Sequence, residues 1–227
     1  MSKIILVIAA HPDDEVLGCG GTMARHVSAG DQVYCLIMGE GITSRYSQPE
    51  KAKRGLEQLK AQAEQAAGII GTKRVFFRDF PDNRFDTVPL LTVVKAIEEV
   101  KEEVRPHVIY THHHGDLNID HQITFRAGLT ACRPAKDETA KEIYSFEVPS
   151  STEWNAPQVQ NYFMPNVFVD ISDTLNKKIE ALKTYHGEMR EYPHPRSPEV
   201  LRAIALRWGS VAGCQAAEAF ELIRVVR

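Results

Sequence analysis

Ile4-Ile5-Leu6-Val7-Ile8-Ala9-Ala10-His11-Pro12-Asp13-Asp14-Glu15 opens as an unbroken apolar run and closes with one imidazole and three carboxylates in five residues. The run has the length and β-branched content of a strand buried on both faces, as in a parallel sheet covered by helices. In open α/β sheets, ligands bind outside the C-terminal ends of such strands. His11 and Asp14 carry side chains that bind borderline metals such as Zn²⁺, and Asp13 is left free beside them. Helix capping alone would need one carboxylate, not a histidine and three acids.

Working outward, the chain alternates strand and helix signals. A helix over 15–29 follows, with Gly30 suited to its C-terminal turn. Its early glycines do not form a dinucleotide fingerprint, and carboxylates at the strand-to-helix turn would repel a pyrophosphate. Strands are expected at 32–38, 75–77, 108–111, 143–148, 166–170 and 219–226. Helical stripes run over 49–70 and 90–104, and a helix over 122–132 opens with Asp120-His121. A further helix is expected from 171 to 182, capped by Ser172 or Asp173. Ser197-Pro198-Glu199 starts the last one with a capping hydroxyl and a proline at its first position. With no linker, repeat or low-complexity segment, residues 1–227 read as one domain. The fold class is α/β, a three-layer sandwich around a mainly parallel, Rossmann-like sheet.

The second pole of the site is His112-His113-His114-Gly115-Asp116-Leu117-Asn118-Ile119-Asp120-His121, with four histidines and two aspartates in ten residues. Side chains alternate along an extended chain, so the three consecutive histidines cannot all face one cleft. His121, on an ordered helix, is the better ligand candidate. His11, Asp14 and His121 would leave a fourth metal position open, the mark of a catalytic rather than a structural zinc. Such a site acidifies water, and Asp13 is placed to act as general base and to return the proton to a departing amine. One Zn²⁺ per chain is expected, although Fe²⁺ or Co²⁺ suits the same ligands.

Ala10-His11-Pro12-Asp13-Asp14-Glu15 resembles the signature of the PIG-L/LmbE deacetylases, zinc-dependent hydrolases of N-acetylated sugars. Gly115-Asp116-Leu117-Asn118-Ile119-Asp120-His121 is similar to the block that carries that family's third ligand. The likeness continues through Pro81-Asp82-Asn83-Arg84, Tyr192-Pro193-His194-Pro195-Arg196-Ser197 and Ala217-Glu218-Ala219-Phe220. The resemblance implies the same metal and base assignment, with Asp120 orienting or tuning the site. Many relatives carry a histidine where this chain has Asn118, and some supply a tyrosine where it has Asp116. Asn118 can donate a hydrogen bond to an oxyanion but carries no positive charge. His194, or one of His112 to His114, is the alternative. The resemblance also places His194 and Arg196 near the cleft, Arg196 as a substrate contact, and implies a homo-oligomer.

Substrate contacts are sought on loops at the same sheet edge. Glu40 and Arg45 follow the second strand, and their alternative is a mutual surface pair. Arg84 offers a planar fork to a hydroxyl or phosphate, or else serves an internal Asp–Arg network. Trp154 lies in Pro149-Ser150-Ser151-Thr152-Glu153-Trp154-Asn155, a mixture of hydroxyls, a carboxylate and an indole that suits a sugar. The same residues also suit a serine–threonine turn followed by a packed tryptophan.

Composition narrows the class. The chain has 227 residues, 43% hydrophobic and 25% charged, with a net charge of −3. No basic block points to nucleic acid, and no apolar stretch is long enough to span a membrane. The short N-terminal run leads straight into Pro-Asp-Asp-Glu and does not read as a signal peptide. Cys19, Cys35, Cys132 and Cys214 have no paired spacing, which favours a reducing, cytoplasmic setting. The expected activity is N-deacetylation of a small N-acetylated amino sugar or sugar conjugate. The alternatives are an amidase acting on a thiol-sugar conjugate and a non-catalytic metal- or sugar-binding protein.

Overall fold

The computed structural model describes residues 2–45, 49–156 and 158–227. Seven strands form one sheet in the order β3-β2-β1-β4-β5-β7-β6. They are β1 (Ile4–Ala9), β2 (Gln32–Gly39), β3 (Arg74–Phe80), β4 (Val108–His112), β5 (Glu142–Phe146), β6 (Val167–Asp170) and β7 (Ala217–Val225). The first five are mutually parallel, whereas β7 runs antiparallel to both β5 and β6.

The apolar run of β1 is explained by its place in the middle of three layers. Ile5 and Val7 join the core under α1 (Asp14–Ser28), α2 (Pro49–Ile70) and α5 (Leu175–Leu182). Leu6 and Ile8 point the other way, into the core under α3 (Leu90–Val104) and α4 (Ile119–Ala131). With both faces covered, alternation has no polar side to show. From β1 the chain passes to β2 on one side, and later to β4 on the other. The ends of β1 and β4 therefore flank the point where strand order reverses, and a crevice opens there.

Helix boundaries follow from local chemistry in most places. α2 and α3 fall where the apolar stripes place them, and α3 stops at Arg105, ahead of Pro106. α6 (Pro198–Ala212) is capped by Ser197, whose Oγ accepts from Val200 N at 3.2 Å. α5 departs from expectation. It starts at Leu175 after Thr174, and Ser172 is instead held in a turn by Asp170 Oδ1, which accepts its N–H at 2.9 Å.

α1 contains a break at Cys19, among Gly18, Gly20 and Gly21, which weaken the helix there. Cys19 has φ −145° and ψ 24°, outside the helical region. Across the break, Glu218 on β7 accepts the N–H groups of Gly21 at 3.0 Å and Thr22 at 2.6 Å. Lys178 on α5 donates to Leu17 O at 2.7 Å and to Glu218 Oε1 at 2.6 Å. One buried ion pair thus satisfies the backbone groups on both sides of the break. Gly18 lies against the Phe146 ring, where an added Cβ would come within 2.2 Å of Cδ2. No described helix is long and apolar enough to cross a membrane.

Candidate functional site

The turn after β1 is tightly held. Asp13 has φ 103°, an unfavourable conformation for a residue with a Cβ. It persists because Asp13 N donates to Glu15 Oε2 at 3.0 Å, while Tyr185 OH donates to Glu15 Oε1. Burial is the main reason the Glu15 carboxyl is pushed up to about 7. Gly41, at φ 69°, brings the loop after β2 against this turn, and a Cβ there would lie 2.7 Å from Pro12 Cδ.

Three side chains converge at the crevice. His11 Nδ1 and His121 Nε2 lie 3.5 Å and 3.2 Å from Asp14 Oδ2. His11, Asp14 and His121 form a buried group whose ligand atoms all lie within 4.8 Å of one another. The outward nitrogen of each imidazole faces a second carboxylate. Asp120 Oδ2 is 2.9 Å from His11 Nε2, and Asp116 Oδ1 is 3.1 Å from His121 Nδ1. The latter contact is a charge pairing rather than an aligned hydrogen bond, because Nδ1 has no hydrogen-bond partner.

Electrostatics mark this point as a place for positive charge. Burial opposes the charge on His11, but Asp120 and Asp14 outweigh it and lift its pKa to about 9. Burial likewise opposes His121, and Asp14 with Asp116 raises it to about 10. Asp14 is held well below the usual carboxylate range against its own burial, chiefly by His121. Carboxylates that draw protons onto two adjacent imidazoles will also stabilise a divalent cation. A borderline ion held by Nδ1 of His11, Nε2 of His121 and Asp14, with carboxylates behind both rings, has the expected ligand chemistry and outer support. The residues present therefore fit a metal.

The consecutive histidines separate as strand geometry requires. His112 Nε2 accepts Ala10 N–H at 2.8 Å, and its ring stacks on His121 with centroids 4.0 Å apart. Burial and the neighbouring His121 push its pKa down to about 3, so it stays neutral and structural. His113 is fixed by Glu221 at 2.8 Å and by Asn161 O at 3.1 Å, and the exposed His114 by Gln160 O at 2.7 Å. None of the three lines the pocket above the metal group.

That pocket is a polar cavity of about 120 Å³. Beyond the metal group and Asp13, its described wall includes Asp82, Asn83, Asn118, Ser150, Glu188 and Arg196. Asn118 caps α4, accepting Asp120 N–H on Oδ1 at 2.8 Å, which turns its amide NH₂ towards Asn83 Oδ1 at 3.2 Å. Asp120 is held by three donors, accepting Asn83 N at 2.7 Å and Phe85 N at 2.9 Å besides His11. Arg196 Nη1 donates to Asp13 Oδ2 at 2.7 Å. Burial pushes the Asp13 carboxyl well up, and Arg196 is the group that opposes it.

Several expected contacts are not part of this wall. Glu40 accepts from Thr43 Oγ1 at 2.6 Å, and Arg84 is exposed beside Asn83. His194 lies against the half-exposed Trp154, with ring centroids 5.7 Å apart, and its Nδ1 accepts Arg196 N–H at 3.1 Å. His194 and Trp154 thus sit together outside the wall of that pocket, while Arg196 reaches Asp13. The side chain of Arg45 lies outside the described residues. Conversely, sequence reasoning gave no role to Glu15, Asp116 or Glu188. A buried acid next to a ligand was the only signal available for Glu15, and none existed for Glu188.

Residues 6–132 match the family described as PIG-L, GlcNAc-PI de-N-acetylase. The diacetylchitobiose deacetylase of Thermococcus kodakarensis is 27% identical over 228 residues, covering 97% of this chain and 83% of that protein. Among solved structures, the N,N'-diacetylchitobiose deacetylase of Pyrococcus horikoshii aligns with a TM-score of 0.79 at 19% identity, over 98% of this chain and 84% of that one. The 4-carboxy-2-hydroxymuconate hydratase GalB of Pseudomonas putida aligns with a TM-score of 0.79 at 22% identity, over 100% and 99% of the two chains. At such identities the structural likeness speaks to fold alone. A hydratase on the same scaffold means that chemistry must be argued from residues.

Proposed function

The chain belongs to the PIG-L family of de-N-acetylases, and we propose from this premise that it hydrolyses the N-acetyl group of a small GlcNAc-type amino sugar or sugar conjugate, releasing acetate. The observation that carries the reading is the convergence of His11, Asp14 and His121 with Asp13 beside them. His11 Nδ1, Asp14 and His121 Nε2 would hold one Zn²⁺ per chain, and Fe²⁺ or Co²⁺ would suit the same donors. A divalent ion held there supplies Lewis acidity, acidifying water and polarising the acetamide carbonyl.

The remaining steps belong to the chain's own residues. Asp13, fixed by Arg196, takes the proton of the attacking water and passes it to the amine as the C–N bond breaks. Asp120 holds His11 through Nε2 and keeps Nδ1 turned inward. Asn118, in the pocket wall, has its amide oxygen committed to the helix cap, so its NH₂, which gives one hydrogen to Asn83 Oδ1, is the group left to serve as donor to the developing oxyanion. His194 lies off the wall and takes no part in this reading. The cavity admits an acetamido group and part of one ring, and its polar wall matches sugar hydroxyls. Arg84 and the exposed face of Trp154 are left for whatever part of a conjugate projects beyond it.

We place the protein in a reducing, cytoplasmic setting, in keeping with its free cysteines, three of them buried. We also propose a homo-oligomer. Val159, Tyr162 and Met164, exposed on one short segment, offer apolar surface for such an assembly to cover. The deciding experiment is acetate release by zinc-loaded protein from GlcNAc, diacetylchitobiose, a GlcNAc-inositol and a GlcNAc-malate. Release from at least one of them, abolished in Asp13→Ala, supports the reading. Silence across the panel would overturn it in favour of another amide or of binding alone.

A further inference from the structure

Between β5 and the 3-10 turn at Thr152–Trp154, the loop carries three hydroxyls in a row: Ser150, Ser151 and Thr152. A serine–threonine turn would direct such hydroxyls to neighbouring backbone. Here each hydroxyl reaches a side chain 46, 35 or 36 residues away in the chain, and Thr152 takes a local backbone partner as well. Ser150 Oγ accepts from Arg196 Nε at 2.8 Å, and the same guanidinium donates through Nη1 to Asp13 and, at 3.2 Å, to Glu188. Ser151 Oγ donates to Asp116 Oδ1, and Thr152 Oγ1 donates to Asp116 Oδ2 at 2.6 Å. Asn118 N also donates to Asp116 Oδ1, at 2.8 Å, so the buried carboxylate behind His121 is fixed on both oxygens. The loop keeps its own shape by strained means. Ser150 sits at φ 72°, its N–H is held by Glu153 Oε1 at 2.6 Å, and Thr152 Oγ1 accepts Val148 N–H at 2.8 Å.

We propose that Ser150-Ser151-Thr152 is a positioning loop that sets the two halves of the site separately, the base through Arg196 and the third metal ligand through Asp116. Ser150 fixes where the Arg196 fork lies, and therefore which way the Asp13 carboxylate points. Ser151 and Thr152 orient Asp116, whose carboxylate stands 3.1 Å behind Nδ1 of His121 and leaves Nε2 facing Asp14 as the ligand atom. The base arm rests on the deacetylase reading, whereas the metal arm does not.

The test pairs zinc affinity, by competition with a chromophoric chelator, with kcat and KM on whichever panel sugar the wild type hydrolyses. Ser151→Ala is expected to weaken zinc binding by about 10- to 100-fold, while Thr152→Ser, which keeps the hydroxyl, holds wild-type affinity. Ser150→Ala and Arg196→Lys are expected to lower kcat on the order of tenfold, with zinc affinity unchanged. A lysine keeps the charge but cannot bridge Ser150 and Asp13 together. Thermal melting verifies folding, and Ser151→Cys replaces Ser151→Ala should the latter not fold. Ser151→Ala with wild-type zinc affinity overturns the metal arm, and Arg196→Lys with wild-type kcat overturns the base arm. If the wild type hydrolyses none of the sugars, the deacetylase reading falls and the zinc measurement still decides the metal arm.

Discussion

Asp120 Oδ2 stands 2.9 Å from His11 Nε2, and the same carboxylate accepts the backbone N–H groups of Asn83 and Phe85. It therefore ties the first ligand to the loop after β3. Asp120→Asn is expected to weaken metal binding by about 10- to 100-fold, because an amide can present its NH₂ to His11 and release the ring. Metal content after dialysis against a weak chelator measures this. Retention equal to wild type would show that His11 needs no orienting partner.

In the proposed mechanism Asp13 acts on the reaction and not on the metal, so Asp13→Asn is expected to keep its ion. Its turnover falls by about 10²- to 10⁴-fold, the usual worth of a general base. Elemental analysis beside kcat separates the two effects. Loss of the ion together with activity would move Asp13 into the ligand set.

Glu218 and Lys178 close the break in α1, and both are buried. Glu218→Ala removes the counter-charge to buried Lys178, which keeps Leu17 O, and the acceptor of two N–H groups, at a cost of about 3–5 kcal/mol. Urea unfolding measures it, and Lys178→Met with Glu218→Ala together should lose less than the sum of the single changes. A cost below about 1 kcal/mol for Glu218→Ala would mean that neighbouring groups take over the cap.

The Lys101–Glu138 pair, away from the site, gives a pH signature. Burial raises the Glu138 carboxyl, but its hydrogen bond to Lys101 outweighs this and leaves the pKa lowered. A depressed carboxylate contributes stability that is present above its ordinary pKa and lost as pH falls through the folded value. Between about pH 6 and pH 3, wild type should lose more unfolding free energy than Glu138→Gln. Parallel declines of the urea midpoints would show that the pair contributes nothing.

What the sequence made legible was whatever local chemistry decides. β1 is readable because both its faces are buried, and α2 because its stripe runs unbroken to Ile70. His11, Asp14 and His121 are readable because each follows a strand that ends at the crevice. What stayed hidden depends on distant partners. The break at Cys19 is stabilised from β7, Asp116 acquires its task from a loop 35 residues on, and Arg196 shows its role only by meeting Asp13. The late start of α5 is a smaller case. Asp170 takes Ser172 into a turn, which removes it as a cap.

The tie between Asp13 and Arg196 closes 183 residues of chain, and it bears on the order in which the protein is made. All three proposed ligands have been synthesised by His121, within the stretch matched by the family, whereas the brace on the proposed base waits for Ser150, Glu188 and Arg196. A chain leaving the ribosome thus carries every proposed donor to the ion well before it carries Glu188 and Arg196, the brace on the base. The same order separates the two in proteolysis. A cut between Thr152 and Glu188 leaves the proposed ion donors and the hydroxyls that hold Asp116 in one fragment, and puts Glu188 and Arg196, which brace the base, in the other.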